Sequence, residues 1–209
     1  MKMNKLALAV GALVISGSAA AEFSANIGAT SNYVWRGVSH TDDAAAVSGG
    51  LDYAHESAFY VGTWASNVDF DDDTTAEVDA DRGYANALAG ALGYDVGVSS
   101  YWYPCAKDDR DFTEIYLGLS YGPVSGGVAY TVDKEDSDAD DNDLYYHLGA
   151  SFDVAETWSV GGTVGYYDFD SGGDYTHGQI DITKSAGSLG DFTLTVSNVL
   201  DQNDVDVDG

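Results

Sequence analysis

The chain has 209 residues, 44% of them hydrophobic, and carries 35 Asp and Glu against 8 Lys and Arg, a formal net charge of -27. That excess argues against nucleic acid as a partner, because binding to phosphate works by neutralising it with Lys and Arg. The single cysteine, Cys105, excludes an internal disulfide and leaves backbone pairing and packing to hold the fold.

In chain order, Lys2 and Lys5 come first, an apolar run over 6–15 follows, and Ala19-Ala20-Ala21 closes the segment. A basic start, an apolar stretch of about ten residues and a small-residue cleavage site make a secretory signal peptide, expected over 1–21. A membrane-spanning helix needs roughly 20 apolar residues, which neither this run nor any later one supplies. The exported chain, 22–209, is therefore secreted, periplasmic or inserted as strands. Without Lys2 and Lys5 its net charge is -29.

From Glu22 onward the pattern has period two, the signature of strands. Weak alternation places strands near 23–31, 47–54, 58–68 and 76–83. Stronger alternation follows, first in Leu92, Tyr94, Val96, Val98 and Trp102, then in Ile115, Leu117, Leu119 and Tyr121. Further apolar faces run through Val124, Val128, Tyr130 and Val132, through Leu144, Tyr146, Leu148 and Phe152, and through Trp158, Val160, Val164 and Tyr166. Ile180 and Ile182, then Phe192, Leu194 and Val196, complete a count of eleven strands. The connections alternate between long or acidic stretches (33–46, 69–75, 103–111, 133–143, 168–174) and short ones (55–57, 122–123, 153–156, 186–190); only 84–90 blurs the rule. Such alternation predicts an antiparallel up-and-down transmembrane β-barrel, with long loops outside and tight turns in the periplasm.

A soluble sandwich or lipocalin-like barrel shares the same alternation, with its apolar face turned inward. The opposite face here is rich in Gly, Ser, Ala and Tyr and poorer in charge than a solvated exterior should be, which favours the membrane form. Tyr33, Trp35, Tyr53, Trp102, Tyr103, Tyr121, Trp158 and Tyr166 near strand ends would then form interfacial girdles.

Ser31-Asn32-Tyr33-Val34-Trp35-Arg36-Gly37-Val38-Ser39 closely resembles the opening motif of the TorF porins, the Gcw_chp family. Gly49-Gly50-Leu51-Asp52-Tyr53, Tyr60-Val61-Gly62-Thr63-Trp64-Ala65-Ser66-Asn67-Val68, Gly93-Tyr94-Asp95-Val96-Gly97 and Tyr101-Trp102-Tyr103-Pro104 are similar to later stretches of that family. The resemblance runs from about residue 22 to the end and implies an outer-membrane barrel acting as a porin. Cys105 departs from it, standing where a glycine would follow Tyr-Pro. The ending Asp204-Val205-Asp206-Val207-Asp208-Gly209 departs too, since such barrels close on a strand with a terminal aromatic. Because bacterial barrels usually have an even strand number, the simplest expectation is twelve strands with the C-terminal one missing from this chain; the alternatives are a count off by one or a barrel that closes unconventionally.

No H-E-x-x-H helix motif or Walker loop occurs, and the glycine pairs Gly126-Gly127 and Gly161-Gly162 sit inside strand patterns, so neither enzyme activity nor a cofactor is expected. The loop acids Asp69, Asp71, Asp72, Asp73, Asp133, Glu135, Asp136, Asp138, Asp140, Asp141 and Asp143 are hard oxygen donors suited to Ca²⁺ or Mg²⁺. They lack the central Gly and distal Glu of an EF-hand, and the favoured reading is a solvated surface that keeps the loops extended. By parity, Asp52, Asp95, Glu114, His147 and Asp181 line the lumen, and Arg82 joins them if strand 76–83 has the matching register. Such a lining prefers cations if the pore is open, or else hydrogen-bonds across a closed barrel.

The expectation is thus a porin in the cell outer membrane, surrounded by lipid, passing small solutes or cations by passive diffusion; the oligomeric state stays open. The alternative is a non-conducting outer-membrane or soluble β-barrel that binds a ligand or serves a structural role at the surface.

Overall fold

The computed structural model describes residues 21–88, 92–104, 106, 110–135, 142–187 and 190–205. The expected signal peptide up to Ala20, Cys105 and the acidic run 136–141 lie outside them.

Eleven strands form one antiparallel sheet in simple chain order. They are β1 (Glu22–Thr30), β4 (Ala46–Ala54), β5 (Phe59–Asn67), β6 (Ala76–Ala87), β7 (Leu92–Trp102), β8 (Phe112–Tyr121), β9 (Val124–Lys134), β10 (Leu144–Ala155), β11 (Trp158–Asp168), β12 (Asp174–Ser185) and β13 (Asp191–Asn203). A small ribbon of β2 (Val34–Trp35) and β3 (Val38–Ser39) stands apart from that sheet. Each of the eleven expected strands is present. The largest boundary difference at a turn is in β6, which runs on to Ala87 and pairs Ala85 with Asp95 and Asn86 with Tyr94. With Tyr84 and Asn86 on one face and Ala85 and Ala87 on the other, that stretch offered no apolar contrast to read. With β6 extended, the connection to β7 shrinks to 88–91, and long loops alternate with short turns as far as β11; the last two connections, 169–173 and 186–190, are equal in length.

The polarity of the sheet is inverted relative to a water-soluble protein. Ile27, Leu51, Val61, Leu117, Leu148, Val164, Ile180 and Phe192 all stand exposed, whereas Glu77, Glu114, Thr131, His177 and Thr195 are buried. Along β10 the switch occurs between neighbours: Tyr146 is 44% exposed while Tyr145 beside it is 8% exposed. Soluble monomers expose apolar patches of at most a few hundred Å², far less than a face that continues across eleven strands.

The sheet curls around its polar face. The segment 31–45 leaves β1 and returns to β4, and between them it touches Trp64 of β5, Glu77 of β6, Tyr101 of β7, Glu114 of β8, Tyr145 of β10, Tyr167 of β11 and His177 of β12. Laid flat, strands β5 to β12 would span about 34 Å at the usual spacing of roughly 4.8 Å, beyond the reach of one two-residue hairpin. The edge strands β1 and β13 pair with β4 and β12, and no pairing joins the two edges among the described residues.

Three expectations are corrected. Segment 33–46 is no outward loop: it folds into the concave side, because its aromatic residues find partners there. Tyr33 and Tyr103 are buried in that interior, with Trp35 packed against them, and do not form a girdle; Trp102, Tyr121, Trp158 and Tyr166 do face outward. Arg82 points outward as well, paired in register with Val61 and Val98. The inward set on β6 is Glu77, Asp79 and Asp81, one residue out of phase with the register that would have turned Arg82 inward.

Candidate functional site

The concave interior has two parts, and the inserted hairpin separates them. Trp35 pairs with Val38 across β2 and β3, so Arg36 and Gly37 form a two-residue turn. Both have positive φ, 48° and 91°, as a type I′ turn requires. Glycine adopts that geometry freely, whereas an arginine there is strained and its position calls for a cause. The cause lies at the tip of the side chain. Arg36 Nη1 donates to Glu114 Oε1 at 2.8 Å and Nη2 to Oε2 at 2.6 Å. The guanidinium carbon also lies 4.1 Å from the centre of the Trp35 ring, 4.2 Å from Tyr145 and 5.2 Å from Tyr167. A planar, delocalised cation suits this fork-and-stack arrangement in a way that lysine does not.

Other contacts tie the hairpin down. Tyr33 Oη donates to Glu77 Oε1 at 2.7 Å, and His40 Nδ1 lies 3.1 Å from Glu77 Oε2. Within the segment, His40 N–H donates to Tyr33 O and Tyr33 N–H to Thr41 Oγ1. Trp35 meets Tyr101, Phe112 and Tyr167 edge to face. Gly37 lies so near β12 that a Cβ on it would collide with the His177 side chain.

On the loop side of the hairpin is a bowl of about 390 Å³. Trp35, Val38 and His40 form its floor, and Phe70, Tyr103, Phe112 and Phe169 part of its wall. Charged pairs edge it: Arg110 donates to Asp72 at 2.6 Å, and Lys134 Nζ lies 2.5 Å from Asp143 Oδ2. Asp143, expected on a solvated acidic loop, is in fact buried and also accepts from the Asp170 N–H at 3.0 Å. Burial of that carboxylate follows from its pairing with Lys134, which compensates the lost hydration.

The strand-lined space holds the predicted residues. Asp52, Asp95, Glu114, His147 and Asp181 all take inward positions in the strand alternation, although they do not form a single cluster. Glu114 is the partner of Arg36. Asp95 accepts from Tyr60 Oη at 2.8 Å, and the Tyr60 and Tyr116 hydroxyls meet in a short hydrogen bond. These two tyrosines belong to strands three apart in the sheet and reach each other above Gly83 and Gly97, which carry no side chain to obstruct them. Asp52 accepts from Asn26 at 3.4 Å. Asp181 accepts from Thr195 at 2.5 Å and from Gln179 at 2.9 Å. His147 lies over Gly127, where a Cβ would be 2.7 Å from its Cε1.

Sequence reasoning missed Arg36, Glu77, Asp79 and Asp81. Parity would have found the three acids once the register of β6 was known. Arg36 carried a weaker signal, as a rare cation inside an aromatic motif that reads as an external loop. With these added, the described inward strand positions include the carboxylates Asp52, Glu77, Asp79, Asp81, Asp95, Glu114 and Asp181, and the guanidinium of Arg36 reaches in among them.

Hydrolytic chemistry finds no scaffold in β8 or its turn. Gly118-Leu119-Ser120-Tyr121-Gly122 does spell G-x-S-x-G, but Ser120 lies near the end of β8, which turns directly into β9. A nucleophile elbow requires a strand-to-helix turn. Among the described residues no group of three or more His, Cys, Asp or Glu is placed to hold a metal ion.

The profile of a bacterial protein family, Gcw_chp, described as of unknown function, matches residues 15–206. No curated protein and no solved structure matches the chain.

Proposed function

The chain belongs to the Gcw_chp family, and we propose that it is an exported outer-membrane β-barrel that passes small solutes and cations by passive diffusion. The observation that carries this reading is the inverted polarity of the sheet, apolar outward and acidic inward. In water such an outward face would aggregate; in lipid it is the favourable arrangement, and the polar backbone is satisfied by strand pairing. The long-loop and short-turn ends correspond to the cell surface and the periplasm, and the leader at 1–21 would direct export.

In this account a solute enters through the aromatic bowl. It then meets the hairpin, whose Arg36–Glu114 pair closes the path, and passes on into the acidic half when the hairpin yields. Inward carboxylates raise the local concentration of cations and lower that of anions, so transport favours cations. No covalent step and no cofactor enter the mechanism.

The test is a planar-bilayer recording of the full chain in a salt gradient. Stepwise currents with a cation-selective reversal potential are expected. That selectivity should shrink when Asp52 and Asp95 are changed to Asn, which leaves the closing pair untouched. A chain shown to be inserted that passes no current under any voltage, with Arg36 intact or replaced, would overturn the channel. The second reading, a non-conducting barrel, would then hold; the observation in its favour is that the hairpin already lies across the interior, pinned by Arg36 to Glu114 and by Tyr33 to Glu77.

A further inference from the structure

The outward face of the sheet carries its charges near strand ends. Asp168 and Asp174 pair across β11 and β12 at the loop end, and Lys184 lies near the turn end, 4.7 Å above the Trp158 ring. Arg82 differs. It stands midway along β6, between Val61 and Val98 in the cross-strand rows, and makes no hydrogen bond, ion pair or ring contact among the described residues. A cation at that depth on the lipid side of a barrel is strongly disfavoured unless something neutralises it.

Beside Arg82 lies an apolar groove of about 740 Å³. Val61, Val98 and Ile115 line it in the row of Arg82, and Phe59 and Tyr84 line it toward the turn end, where it reaches His55. We propose that this groove binds one anionic phospholipid, with an acyl chain along the valine and isoleucine wall and the phosphodiester against the Arg82 guanidinium. The fork of guanidinium N–H groups fits phosphate oxygens, and the arginine stem can extend along the apolar wall toward the headgroup level.

Two observations select this occupant. The chain's net charge of -27 repels free anions, so an anion reaches this face only with an apolar chain to hold it there. A second copy of the protein offers Arg82 no carboxylate at matching depth, because the outward acids among the described residues sit at strand ends. The inference rests on the outer-membrane reading given above.

The experiment reconstitutes the full chain into phosphatidylcholine vesicles containing a minor fraction of phosphatidylglycerol. Insertion is scored by protease protection. The protein is then extracted, and the phosphatidylglycerol retained per chain is measured by mass spectrometry. Wild type should retain it above the vesicle ratio by about fivefold, the worth of one arginine–lipid contact. Arg82→Gln should fall to the vesicle ratio, Arg82→Lys should keep part of the enrichment, and Lys184→Gln should leave it unchanged. Equal enrichment in Arg82→Gln, no enrichment in inserted wild type, or an Arg82-dependent cross-linked dimer that forms without phosphatidylglycerol would each overturn the lipid site while leaving the barrel standing. Failure of wild type to insert would overturn the membrane reading and this site together.

Discussion

Arg36 concentrates the opposing forces of the interior in one residue: a strained backbone at φ 48°, three aromatic rings around its charge, and a buried carboxylate as its partner. Replacing it with Met leaves Glu114 charged and enclosed, which typically costs about 3–5 kcal/mol. Urea unfolding of the vesicle-inserted protein should show that loss in Arg36→Met, and the double change Arg36→Met with Glu114→Leu should recover most of it. A double variant no more stable than the single one would show that the pair is not the source of the cost. Gly37→Ala acts by another route, since the new Cβ would strike His177 at a backbone angle that alanine resists. It should displace the hairpin and raise conductance, and an unchanged current would contradict the hairpin's closing role. Inward residues such as His147 and Asp181 were legible in the sequence because strand parity is a local property. Arg36 was not legible, because its role depends on a loop turning inward to meet strands remote in sequence.

Under the proposed function, the strands divide into an outward side that meets lipid and an inward side that meets water. Leu148 and Ser151 lie on opposite faces of β10. Leu148→Arg should weaken folding into vesicles by about 2–4 kcal/mol, while arginine on the lumen side should act mainly on selectivity. Ser151→Arg is therefore expected to leave stability nearly unchanged and to reduce the preference for cations, as read from the reversal potential. Equal destabilisation by the two changes would contradict the assignment of faces. Strands with strong apolar contrast, β7 to β11, were legible to within about three residues at each end. The run of Ala76, Ala80, Ala85 and Ala87 in β6 carries no such contrast, and this is why its register, and with it the placement of Arg82, went one residue astray.

For the whole molecule, an acidic chain folds so that carboxylates from strands β4, β6, β7, β8 and β12 face the same concave space and the apolar side chains of those strands face away from it. Order and direction of the strands were legible from the alternation of loops and turns. The curl of the sheet around the hairpin was not, since periodicity reports which residues share a face and says nothing about how that face bends.

The direction in which the two faces of the sheet point governs the roles of the lumen acids and of Arg82, and spin labelling along β10 reads it. With Cys105 replaced by Ser, single cysteines at positions 144–152 are labelled in the vesicle-inserted protein, and their accessibility to oxygen and to a water-soluble nickel complex is measured. Strict alternation is expected. Positions 144, 146, 148, 150 and 152 should be open to oxygen dissolved in lipid and closed to nickel, while 145, 147, 149 and 151 should be closed to lipid. Nickel access at the even positions, or no alternation along the strand, would contradict it.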